Sequence, residues 1–183
     1  MIAAIIELTA AQGYEATQVA DIVRAAHVAR KTLYDNFDGK EDLFLAAFDH
    51  SIAELTDAVH GACEAADGGW EERIEAGLGA FLGFVAEHPA TARVCMVEAL
   101  AATPTASARH DAAQLRFVEL LKESAPRGTG LPETLEESLV GGVTWIVSRL
   151  IRRGQAERAA ELLPELSEFV LGPYRGAAAG EPA

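Results

Sequence analysis

The chain has 183 residues, half of them hydrophobic, and a formal net charge of −13. That length allows one larger helical core, or a small domain joined to a medium one. So acidic a chain is not one that coats nucleic acid non-specifically, although a sequence-specific reader needs only a local basic face. No apolar run approaches the roughly 18 residues of a membrane span, and Glu7 interrupts Ile2–Ile6, which lacks the basic flank of a signal peptide. Cys63 and Cys95 have no metal or redox spacing. They read as small buried side chains in a reducing compartment, which implies a cytoplasmic location.

Almost every segment has a 3.6-residue period and none shows strand alternation, so the fold class is all-α. Ile2, Ile5, Ile6 and Thr9 mark one face of a first helix, which Gly13 stops. Thr17 offers a hydroxyl cap to a short helix from Gln18 to about Ala26, with Val19, Ile22 and Val23 inward. After a turn at His27-Val28, another short helix spans about Arg30 to Phe37 and turns Leu33 and Phe37 inward. Asp38-Gly39 breaks it. Lys40 starts a longer helix carrying Leu43, Phe44, Ala47, Phe48, Ile52 and Leu55. Asp67-Gly68-Gly69 is a linker. Ile74, Leu78, Phe81, Leu82 and Val85 form the next stripe, and His88-Pro89 opens the helix after it. Thr103-Pro104-Thr105 breaks that helix. Ala106 to about Ser124 is helical, and Pro126 to Pro132 is a loop. Leu135, Leu139, Val143, Ile146 and Leu150 line a further helix, Gly154 interrupts, and a last helix lies near Pro164 to Leu171. Arg175–Ala183 is expected to fray. The count is about nine helices, in an N-terminal domain of residues 1–48 and a C-terminal domain of 49–183.

The short helices between Thr17 and Lys40 bury little surface alone and need the first and fourth helices as a brace. Such a brace makes sense if the third helix projects an outer face into a DNA groove. Arg30 and Lys31 suit phosphates or guanine edges, Thr32 offers a hydroxyl or methyl to a base, and Tyr34 can hydrogen-bond a phosphate. Lys40 can add an ammonium to the same phosphate path. Residues 1–50 hold four basic side chains against eight acidic ones, so any basic face there is local.

The run Gly13-Tyr14-Glu15-Ala16-Thr17-Gln18-Val19-Ala20-Asp21-Ile22, with Ala26-His27-Val28-Ala29, Thr32-Leu33-Tyr34-Asp35-Asn36-Phe37 and Lys40-Glu41-Asp42-Leu43, closely resembles the N-terminal domain of the tetracycline-repressor (TetR) family. The resemblance covers residues 2 to about 50. It places the helix-turn-helix at about 18–37, joined by a linking helix to a helical-bundle ligand and dimerisation domain. It implies a homodimer on a palindromic double-stranded operator, released by a small molecule in the C-terminal domain. It also implies that Thr17 and Gln18 touch phosphates, that Val28, Ala29, Arg30, Lys31, Thr32 and Tyr34 face the major groove or its rim, and that Lys40 meets a phosphate. Three departures stand out. His27 replaces the usual turn glycine and would have to tolerate a left-handed backbone. Ala29 replaces the usual Ser or Thr cap. The basic N-terminal arm is missing or very short.

In the second domain, Phe81, Phe84, Met96, Phe117 and Trp145 sit on different helices and are the candidates to line a ligand cavity, Trp145 first among them. Glu98 would add a polar contact if buried. Val143, Ile146, Val147, Leu150, Leu166, Phe169 and Val170 are expected in a four-helix dimer interface, with Gly141-Gly142 allowing close approach. His88 and His110 read as surface or capping histidines. Arg149, Arg152, Arg153 and Arg158 read as helix-end charges. No metal-ligand spacing, catalytic constellation or phosphate loop appears, so neither an enzyme nor a cofactor is expected. The leading reading is a repressor released by a hydrophobic or aromatic ligand. The competing one is a DNA-binding regulator controlled by a protein partner, for which the C-terminal core would be packed solid.

Overall fold

The computed structural model describes residues 1–126 and 131–179. Nine helices and no strand occur among the described residues. Three short helices come first: α1 (Ile2–Gln12), α2 (Val19–Ala25) and α3 (Arg30–Tyr34). The long α4 (Lys40–Ala65) then runs without a break across the expected domain boundary at 48/49. The fifth is α5 (Trp70–Glu87). The sixth, α6, is one rod over 89–102: an α-helical start Pro89–Arg93, a π-helical turn Val94–Glu98 and an α-helical end Ala99–Ala102. It is followed by α7 (Pro104–Ser124), α8 (Leu135–Arg152) and α9 (Leu163–Ala179), the last entered through a 3-10 segment Ala156–Leu162.

The N-terminal unit is held by a small core. Ile5, Ile22, Leu33, Leu43 and Phe44 are completely buried, and the Tyr14 ring meets Phe44 edge-on at 4.8 Å. α2 and α3 have seven and five residues, too short to persist as isolated helices. Docking on α1 and α4 is what makes them helical. In the C-terminal domain α4 and α5 pack tightly along their length. A Cβ added at Gly77 would stand 2.5 Å from Cys63 Sγ, so this crossing needs glycine. α9 closes on α5 through Trp70 against Tyr174, at 5.7 Å, and through Arg175 to Glu71; Arg175 also pairs with Glu168 of its own helix.

Several boundaries differ from expectation. α3 ends at Tyr34 rather than Phe37, because the Leu33 carbonyl takes turn hydrogen bonds from Asn36 and Phe37. α7 starts at Pro104: Thr103 is its cap, accepting a hydrogen bond from the Ala106 amide at 3.1 Å. α9 continues through Pro173 to Ala179, so Arg175–Ala179 is helix and not frayed chain. The Tyr174 hydroxyl anchors it by donating to Glu136 at 3.0 Å. The parts of the expected loop and tail at 127–130 and 180–183 lie outside the described residues.

Candidate DNA interface and ligand cavity

α3 lies against α2 with Leu33 sealed beneath it, so its outer face is free. Ala29, Arg30, Lys31 and Tyr34 are exposed on it, and Val28 and Thr32 are half-buried. Arg30 donates to the Tyr34 hydroxyl at 3.3 Å, and its guanidinium stands 5.6 Å from the ring centroid. Lys31 is paired with Asp35 at 2.9 Å, both well exposed, which lowers its charge without adding much stability. Arg24 is likewise paired with Asp21. Among the cations of residues 1–50, Arg30 and Lys40 have no carboxylate partner within the described residues.

Two residues expected at phosphates play structural parts here. Thr17 is completely buried and donates its hydroxyl to the Gly13 carbonyl at 2.9 Å. Its side chain therefore cannot reach a phosphate, nor does it cap α2. That cap position belongs to the exposed Gln18. Lys40 donates to the Tyr14 carbonyl at 2.9 Å, with its ammonium 4.0 Å from the Tyr14 ring centroid. It clasps the first turn of α4 to the α1–α2 corner.

His27 has φ of +54°, and is the one non-glycine residue with positive φ among those described. A β-carbon in this region costs about 1–2 kcal/mol. Glycine removes that strain but adds freedom to the unfolded chain. His27→Gly is therefore expected to stabilise the protein by about 0.5–1 kcal/mol, raising Tm by roughly 2 °C. Thermal unfolding followed by circular dichroism checks this; a lower Tm would mean that the imidazole itself holds the turn. Ala29, extended at the start of α3, supplies no side-chain cap.

The C-terminal domain contains two cavities, both partly open to solvent. The outer one, about 120 Å³, lies among α4, α5, α7, α8 and α9, and its walls include Val59, Leu78, Leu121, Val143 and Val170. The inner one, about 50 Å³, is walled by Ser51, Phe84, Met96, His110 and Gln114 among others. Phe81, Phe117 and Thr144 belong to both walls. The two rings, 6.4 Å apart between centroids, form the partition. Trp145 lines neither cavity: it is 58% exposed, with Arg149 stacked 4.9 Å from its ring centroid. The helix turns its neighbour Thr144 inward instead. Glu98 does not reach a cavity either; it is ion-paired with Arg93 at 3.2 Å. That five-residue spacing matches the wider π turn.

His110 was missed. It is 5% exposed and bonds both the Cys95 carbonyl and Gln114. Its place four residues after Ala106 and three before Ala113, both buried on the inner face of α7, was the available signal. Burial pushes the Cys95 thiol up to about 12, with Ser51 acting weakly against it, and raises the Cys63 thiol as well. Both sulfurs are poor nucleophiles at neutral pH.

The expected dimer residues divide. Val143, Val147, Leu166 and Val170 are buried within the protomer, Val147 completely. They cannot form a subunit interface. On α8 the inward row is Leu139, Val143, Val147 and Ile151. The outer row carries half-buried Ile146 and Leu150 beside exposed Trp145. Phe169 of α9 is 43% exposed, and its ring covers Gly142, where a Cβ would stand 2.9 Å from Cζ.

Residues 1–47 match the family model of the bacterial regulatory proteins, tetR family. No match is found among curated proteins. Among solved structures, the chain is similar to the fatty acid degradation regulator FadR of Bacillus halodurans, with 21% identity, 93% of this chain and 92% of that one covered, and a TM-score of 0.84. It is also similar to FadR of Bacillus subtilis in complex with stearoyl-CoA, with 18% identity, 94% and 96% covered, and a TM-score of 0.82. PfmR of Thermus thermophilus, a TetR family transcriptional regulator, gives 22% identity, 93% and 92% covered, and a TM-score of 0.74. At these identities the structural likeness is one of fold.

Proposed function

From the premise that residues 1–47 are a tetR-family DNA-binding domain carried on a tetR-like fold, we propose that this regulator is a homodimeric repressor that a small apolar ligand releases from a palindromic operator. Residues 1–48 are the reading head, and 49–183 hold the effector and the partner subunit. Val28, Ala29, Arg30, Lys31, Thr32 and Tyr34 present α3 to the major groove, and Gln18 flanks it at a phosphate; Lys40 would reach a phosphate only on leaving its clasp with Tyr14.

The apolar cavity among α4, α5, α7, α8 and α9, partly open to solvent, carries this reading. A regulator controlled by a protein partner has no use for a void, which costs packing energy, so a solid core is what that alternative needs. A dry cavity of about 150 Å³ accommodates benzene, so the outer cavity suits a short alkyl segment or one small ring. The stearoyl-CoA bound by the Bacillus subtilis neighbour favours the alkyl choice. Phe81, Phe84, Met96 and Phe117 would contact the chain. α6 supplies a route to the DNA: Cys95 and Met96 of its π turn wall the inner cavity, and the same rod packs against α1. Occupancy of the cavity would shift α1, and with it the α2–α3 pair. No helix among the described residues is long and apolar enough to cross a membrane.

Selection of bound duplexes from a random pool, followed by titration at several salt concentrations, tests the reading. A palindromic site and a steep fall of affinity with salt are expected, and alkyl ligands should then release the site. Enrichment of no common sequence would overturn it.

A further inference from the structure

The inner cavity carries hydrogen-bonding groups that a purely apolar ligand would leave unused. His110 Nδ1 lies 3.0 Å from the Cys95 carbonyl oxygen. A carbonyl only accepts, so Nδ1 holds the proton and Nε2 is an acceptor. The Gln114 amide nitrogen, 2.9 Å away, donates to it. The histidine is thereby satisfied at both ring nitrogens, and its tautomer is set by a backbone carbonyl. That carbonyl belongs to the π turn of α6. Ser148, which donates to the Met96 carbonyl at 3.3 Å, performs the same service one residue on.

Gln114 is used only in part. One amide hydrogen goes to His110. Its second hydrogen and its carbonyl oxygen meet no protein group among the described residues, and the half-buried side chain stands in the cavity wall, where water fills the place of a ligand when the cavity is empty. An amide presenting one donor and one acceptor matches a group that does the same, such as a hydroxyl. Charge is disfavoured: the walls of the inner cavity include no Lys or Arg. A carboxylate or phosphate there would lose water to apolar walls that offer no Lys or Arg in return.

We propose that the inner cavity is a subsite for a neutral hydroxyl on an alkyl ligand. Gln114 binds the oxygen, His110 orients Gln114, and the chain extends past Phe81 and Phe117 into the outer cavity. The two rings must part for it. Any charged portion of the effector stays at the outer end. This rests on the ligand-released reading above and narrows its effector to a hydroxyl-bearing alkyl compound.

Isothermal titration of the protein with 1-octanol, its isomer 1-methoxyheptane and octanoate tests the proposal. The ether has the same atoms but no donor. 1-Octanol should bind about tenfold tighter than the ether, and octanoate no tighter than the ether, since an unpaired polar group in a buried site forfeits about that factor. Gln114→Met should bring 1-octanol down to the affinity of the ether and leave the ether unchanged. Equal affinity of the two isomers overturns the subsite, as does tightest binding of octanoate, equal weakening of both isomers by Gln114→Met, or binding of none of the three. The isomer comparison uses the unaltered protein, so it stands even if Gln114→Met does not fold. Binding of the ligand-free protein to its selected duplex is measured on the same sample. Intact site-specific binding without an alcohol preference removes only the subsite; loss of that binding removes the regulator reading.

Discussion

Arg30→Ala is expected to lower operator affinity about a thousandfold. Arg30 opens α3, is exposed, and has no carboxylate partner among the described residues. Its contact with the Tyr34 hydroxyl and ring holds the guanidinium over the outer face of the helix, where its fork matches a guanine edge. A bidentate base contact is worth about 2 kcal/mol of discrimination, and a dimer loses two of them, about 4 kcal/mol in all. Specificity at one base position of each half-site should relax. If Arg30 instead meets a phosphate, affinity will fall evenly across sequences and the salt slope will shrink by about 1 per protomer. Equilibrium titration of wild-type and variant protein against the selected duplex and its single-base changes distinguishes the two. Folding stability should move by less than about 0.5 kcal/mol, because Arg30 packs against nothing buried. An affinity within twofold of the wild type would remove Arg30 from the interface. The effect is large because this head has few cations to share the work: Lys31 is partly neutralised by Asp35, Arg24 by Asp21, and Lys40 is clasped to Tyr14.

Phe169→Asp is expected to give folded monomers, and Val147→Asp unfolded protein. Phe169 is 43% exposed, with its ring over Gly142 of α8. A carboxylate there meets water in the protomer but would be desolvated in a dimer. Val147 is completely buried, so a carboxylate at that position has neither water nor a partner and costs several kcal/mol. Sedimentation and circular dichroism together read the pair: a monomer with native helicity for the first, loss of helicity for the second. The monomeric variant should bind the full palindrome at least about a hundredfold more weakly, because the second half-site no longer gains from the tether of the first. A dimer that persists with Phe169→Asp and also with Trp145→Asp would place the interface elsewhere.

Much of the first domain was legible because its signals are local. Gly13 and Asp38-Gly39 stop helices by backbone preference, and Leu33 declares its buried side by its four-residue spacing from Phe37. The left-handed turn at His27 was visible as a non-glycine residue where glycine is usual, and the structure carries it at φ +54°. The aromatic residues Phe81, Phe84 and Phe117 could be picked as wall candidates because bulky apolar groups on separate helices must meet somewhere.

What stayed hidden depends on which way each helix is rotated about its own axis. Trp145 and Thr144 are adjacent in sequence and point oppositely, one to solvent and one into both cavities. A hydrophobic stripe does not say whether it faces its own core or a second copy, so Val143 and Val147 looked the same as Ile146 and Leu150. Thr17 looked like a cap because hydroxyls cap helices, yet the Gly13 carbonyl lay closer. His110 looked like a surface histidine because its two partners are a distant backbone carbonyl on a π turn and a glutamine whose orientation that histidine sets. By itself the sequence determined the helices, their punctuation and the reading head, since period, caps and breakers act within a few residues. Only the tertiary structure decided the cavities, the buried polar pair and the split of the α8–α9 surface, because those follow from the packing of helices far apart in the chain.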